Sequence, residues 1–189
     1  AKLKEVFGVE PRVHANHALN RENLYWGPGR VDSRPLRWLV AAISDLPADH
    51  YQGHLEGSPY WWGDVCQRSV VYGRNLSFNR INVASINPTM PYKDPRGPLV
   101  PLWFSASDAE SVTEFNALTS SANQERLQRE GGFSIVATHF GKGFVRDGRV
   151  DAQTRANLEE LAGRPGWFPT TGELLDWLAA QKEPGPLNR

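Results

Sequence analysis

Cysteine and methionine are almost missing from this chain of 189 residues, at one each. The lone thiol, Cys66, excludes an internal disulfide and any zinc site built from cysteines. A surplus of charge is missing too: 21 Lys and Arg face 21 Asp and Glu, for a formal net charge of zero. Without a cationic surplus the chain has no global field to attract phosphate backbones or anionic membranes, which argues against nucleic acid as a partner. No apolar run is long enough to span a bilayer. No basic-then-apolar leader opens the chain, which favours the cytoplasm, while Ala1 in place of Met marks a start that was processed or cut. Internal repeats and low-complexity blocks are absent. So are the Gly-x-Ser-x-Gly elbow, the Walker pattern and the dinucleotide fingerprint. Gly141-Lys142-Gly143 is therefore no phosphate cradle, and nucleophilic catalysis has no motif behind it.

What is present is the composition of a folded domain of 21.2 kDa, with 40% hydrophobic and 22% charged residues. Aromatics reach 11%, and seven of them are Trp. Such a density points either to the aromatic walls that carbohydrate sites use or to a Trp-rich core and rim. The pattern along the chain alternates short strands with helices. A helix is predicted over residues 1–7 with Gly8 as its left-handed stop, and a short strand over 12–16. Leu36, Leu39, Val40 and Ile43 mark a helix entered through Pro35. Residues 47–68 lack a period, residues 69–74 are strand-like, and 75–98 read as a long Asn- and Pro-rich loop. A strand over 99–105 precedes two helices with capping-box patterns at Ser107/Glu110 and Ser121/Gln124, the second ended by Gly131-Gly132. Residues 133–138 form a compact apolar strand. Residues 151–162 form a helix stopped by Gly163, 167–169 a short strand, and Thr170/Glu173 cap a last helix through Lys182. This order predicts an α/β fold, a partial or distorted (β/α) barrel of mostly parallel strands with surrounding helices. One domain is expected over residues 1–182, with 183–189 as a loose tail. Ligands of such folds bind at the C-terminal ends of strands.

Several chemistry-bearing residues fall at those ends. His14 and His17, three apart, carry imidazoles of the kind that ligate zinc and other divalent metals; otherwise they are loop histidines bonded to backbone or water. His139 closes the strand at 133–138, where a titratable ring is placed for general acid or base work, or else is held under the following turn. Arg74 ends the strand at 69–74 and can orient a carboxylate or form a surface ion pair. Asp64 follows two Trp and a Gly, as a carboxylate beside an aromatic wall or as a helix N-cap. Tyr60, Trp61, Trp62, Tyr92 and Trp103 are candidates to stack on sugar rings, or ordinary packing residues. The aperiodic stretches 51–64 and 87–96 are expected to be two walls of one groove.

The phrases HANHALNRENLYWG, GHLEGSPYWWGD, NPTMPYKDP, SIVATHFGKGF and GWFPTTGELLDWL, in this order from about residue 7 to about residue 178, resemble the C-terminal part of bacterial polysaccharide-deacetylase-like proteins of carbohydrate esterase family four. The resemblance implies a distorted barrel of parallel strands, a divalent metal, usually zinc, and removal of acetyl groups from sugars. It implies His139 as general acid, His14 and His17 as the metal-binding pair at a spacing one residue shorter than usual, and Arg74 as the arginine that steers the base. The family's early strand ending in Asp-Asp has no counterpart here, so the chain reads as beginning after it, and as nearly inactive in this form. A third metal ligand would have to come from Asp64 or Asp94. The alternative is a catalytically inactive carbohydrate-binding or scaffolding module. A glycoside hydrolase needs two facing carboxylates, and nothing in the sequence pairs them.

Overall fold

The computed structural model describes residues 2–17, 19–26 and 50–182. The helix predicted after Pro35 and the tail at 183–189 lie outside these residues. Among the described residues the elements are α1 (Lys2–Phe7), β1 (Val13–Ala15), α2 (Gly63–Ser69), β2 (Tyr72–Phe78), β3 (Leu102–Asp108), α3 (Val112–Leu118), α4 (Ser121–Glu130), β4 (Val136–Ala137), β5 (Val145–Arg146), β6 (Arg149–Val150), α5 (Ala152–Ala162) and α6 (Thr171–Ala180). Strands β1 to β4 make one sheet in that order, and the pairs β1–β2 and β3–β4 run parallel. The fold is α/β, with the curled parallel sheet of a partial barrel and surrounding helices, as the alternation of elements predicts. Strand β3 buries Trp103, Phe104, Ser105, Ala106 and Ser107 in succession, the signature of a strand covered on both faces. No described helix is long and apolar enough to cross a membrane.

Contacts divide the chain into two compact units, residues 1–75 with 91–104, and residues 76–90 with 105–189. In the first, Leu24, Cys66, Val70, Val100 and Trp103 form the buried cluster. Close approach to the Trp103 ring requires glycine at two places. A Cβ on Gly73 would lie 2.9 Å from the indole, and one on Gly97 would lie 2.7 Å from it. In the second unit, Ile81, Ala109, Phe115, Leu118 and Phe144 cluster, with the Phe115 and Phe144 rings edge to face at 5.2 Å. Burying a side chain of this size stabilises by about 2 kcal/mol.

Helix starts follow local capping chemistry. Thr170 and Glu173 close the predicted capping box of α6, and Asp151 caps α5 by accepting from Thr154 N at 2.8 Å. The box before α3 is Ser111/Glu114 rather than Ser107/Glu110. Strand β3 runs on through Asp108, and Ser107 is a buried strand residue whose Oγ donates to Arg80 O at 2.7 Å. The Ser121/Gln124 box does not form, because the Gln124 amide is drawn inward to donate to Thr119 O and Asn157 O. Residues 167–169 are irregular rather than a strand.

Candidate functional site

The first unit holds most of the residues singled out above. His14 sits on β1, and the register places Ala15 beside Arg74 of β2. Asn16, fully enclosed, organises this strand end. Its Nδ2 donates to Leu24 O at 2.9 Å, and its Oδ1 accepts from Leu24 N at 3.0 Å. That pairing fixes which way the amide faces, so the Oδ1 lying 3.0 Å from His14 Nε2 makes that nitrogen the protonated one, with Nδ1 as the acceptor. Burial pushes the His14 pKa below its ordinary value. The bond to Asn16 opposes this shift, and the Arg74 charge adds to it. The ring meets Trp62 edge-on at 4.8 Å. His17 has an exposed ring, while its backbone is pinned by Asn23, which accepts from His17 N at 3.0 Å. His54 accepts from Tyr25 N at Nδ1 (3.1 Å) and lies 4.3 Å from the Tyr25 ring; burial lowers its pKa as well.

Arg74 is the third residue of the seven in β2 rather than the end of a strand, and its Nη2 donates to Asn16 O at 2.6 Å. It thereby joins the two strands through backbone. Asp64 stands exposed in the first turn of α2, 3.9 Å from Arg68, and is not the cap: that position is held by Trp62. Asp94 is buried and accepts from Arg96 N, Nε and Nη2 at 2.9–3.1 Å. His14 and His17 therefore lack a carboxylate third ligand from either aspartate named above. Among the described residues no three His, Cys, Asp or Glu side chains come together, so they do not fit the metal centre that the resemblance implies.

The expected aromatic walls are tied to the protein itself. Trp103 is 0% exposed and is a core residue, unavailable to any ligand. Trp62 donates Nε1–H to Glu22 O at 2.6 Å, and Tyr92 accepts at its hydroxyl from Asn75 Nδ2 at 2.6 Å; both rings pack on the Trp103 cluster. Trp61 lies over Gly63, and Tyr60 is covered by the Arg21 guanidinium at 4.6 Å. His139 follows β4, an edge strand rather than a central one, and is exposed instead of facing a concave pocket. Its N–H donates to Glu110 O at 3.3 Å, beside the Lys142–Glu110 ion pair.

An open concave surface lies elsewhere, within the second unit. A cavity of about 640 Å³ runs between the α4 end, residues 131–136, the segment 164–170 and α6. Trp167, Phe168 and Trp177 stand at it 58%, 60% and 50% exposed. The two indoles meet at 6.0 Å and 70°, which makes a corner of two aromatic walls. Gly131 ends α4 with φ 59°, and Gly132 passes against Asn82, where a Cβ would come within 2.2 Å of Oδ1. Polar side chains in the lining include Gln128, Ser134, Thr171 and Arg164. Sequence reasoning missed this site because Trp167-Phe168-Pro169 resembles a short strand. Its position between a helix stop at Gly163 and a helix start at Thr170 was the available signal. No protein-family model, curated protein or solved structure matches the chain.

Proposed function

We propose that this chain is a carbohydrate-binding domain of polysaccharide-deacetylase type, and that it holds sugar in the Trp167–Trp177 corner. The observation that carries this reading is the pairing of a ligand-sized cavity with three exposed aromatic rings. Three large aromatics left half in water are costly on a surface without a partner, and an apolar pocket with a few polar groups is the usual form of a small-ligand site. Sugar rings offer apolar C–H faces to an indole and hydroxyls to groups such as Gln128 and Thr171. The test is a titration of intrinsic tryptophan fluorescence with acetylated and unacetylated neutral oligosaccharides. Saturable change that weakens at least tenfold in Trp177→Ala is the expected result. No change with any sugar at millimolar concentration contradicts the reading.

Metal-dependent deacetylation is the second reading, favoured by one observation: His14 is a half-buried imidazole with its pKa lowered by burial, in the middle of a parallel strand. A ligand beyond the described residues would have to complete the site. Zinc-dependent acetate release that is lost in His14→Ala supports this reading, and release unaffected by that change removes it.

A further inference from the structure

The charge balance of the cavity bears on which sugars it takes. Among the described residues that line it, Arg164 is the one charged side chain. Its side chain is only 20% exposed, and four of its five N–H donors have partners. Nε donates to Gln124 Oε1 at 3.0 Å and Nη1 to Gln128 Oε1 at 3.3 Å. Nη2 donates to Ser121 Oγ at 3.3 Å and to Glu160 Oε1 at 2.5 Å, with Glu125 Oε1 at 3.7 Å. The same Glu160 oxygen accepts from Ser121 at 2.6 Å. Hydrogen bonds from Ser121 and Arg164 hold the Glu160 carboxyl below the usual carboxylate range, so it is ionised at neutral pH.

One cation thus faces two carboxylates. A carboxylate-bearing ligand meets a guanidinium whose charge is already paired. At Arg164 it competes with Glu160 and meets two like charges at short range. We propose that Glu160 and Glu125 are specificity-determining residues that cancel Arg164, so that the cavity accepts uncharged sugar units and rejects uronates. This rests on the sugar-binding reading above. It adds a rule that the aromatic corner alone does not impose, because an indole stacks equally on a neutral hexose and on its C6 acid.

The experiment compares matched pairs that differ only at C6: cellotetraose with its C6-oxidised tetramer, and β-1,4-mannotetraose with the β-1,4-mannuronate tetramer. Binding is followed by calorimetry at low and at physiological salt. The expected result is at least tenfold tighter binding of the neutral member in each pair that binds. In Glu160→Gln, and further in Glu160→Gln/Glu125→Gln, the ratio is expected to shrink to within about threefold through a gain for the uronate. This gain is one that mere loss of structure cannot produce. Equal binding of both members by the unmodified chain overturns the charge rule and leaves sugar binding standing. A ratio unchanged in the double variant, with its melting temperature preserved, overturns the assignment to these glutamates. Failure of every tetramer to bind any form overturns the sugar reading itself.

Discussion

Replacing Asn16 with Ala perturbs the strand end on which both candidate histidines depend. The magnitude follows from its partners. Leu24 is fully buried, and the Asn16 amide satisfies both its N–H and its C=O. Two buried backbone groups left without partners cost roughly 1–3 kcal/mol each, so a total of about 3 kcal/mol is expected, and more if His14 Nε2–H also fails to find an acceptor. With a urea slope of about 2 kcal/mol per molar, the unfolding midpoint should fall by roughly 1.5 M. Asn16→Asp keeps an acceptor for Leu24 N but loses the donor to Leu24 O and encloses a carboxylate, so it should lose at least as much near neutral pH. The imidazole provides a second readout. Burial holds the folded His14 pKa below the unfolded value near 6.5, so the unfolded chain takes up this proton first. The stability tied to neutral His14 is complete above that pH and is lost as pH falls through the folded value. The Asn16 bond raises the folded value, so Asn16→Ala should lower it and extend the window further into acid. Urea melts followed by tryptophan fluorescence and a proton NMR titration of His14 measure both. A midpoint unchanged from that of the parent chain, or a His14 that titrates above 6.5, refutes the reasoning.

The Cys66 thiol is fully enclosed and its pKa is pushed up to about 11 by burial, so it should stay unreactive toward a disulfide reagent at pH 8 in the folded protein and react at once in urea. Gly132→Ala places a Cβ within 2.4 Å of three atoms of the Asn82 side chain, which is tied to Ala84 N and Glu130. It should cost about 1–3 kcal/mol in a thermal or urea melt, and should weaken any ligand of the adjacent cavity. Thr170→Ala removes the capping box of α6 and should cost about 1 kcal/mol, with Trp177 emission reporting the looser helix.

Elements with strong local chemistry were legible in the sequence. Asp151 and Gly163 bracket α5 as predicted, and Thr170/Glu173 start α6, because caps are written within four residues of the helix they serve. Strand limits were less legible. Ser107 has the pattern of a cap, yet tertiary partners at Arg80 and Ser134 hold it in β3. The β5–β6 hairpin has its signal in Asp147-Gly148, whose φ values of 50° and 71° suit a tight two-residue turn. Helix α2 buries only Gly63 and Cys66, so it has no apolar stripe to betray it. The site residues divide the same way. Residue type identified aromatics as important, but type does not tell a ring that fills a core from one that faces water. Trp103 and Trp177 look alike in sequence, and only packing separates 0% from 50% exposure.

The most direct measurement of the central claim is the set of seven tryptophan indole N–H resonances in a ¹⁵N correlation spectrum, recorded as a neutral oligosaccharide is added. The account predicts saturable shifts confined to Trp167 and Trp177, with Trp103, Trp61 and Trp62 unmoved. Shifts at Trp61 and Trp62 with Trp167 and Trp177 unchanged contradict it, as does a spectrum that does not respond to any neutral sugar.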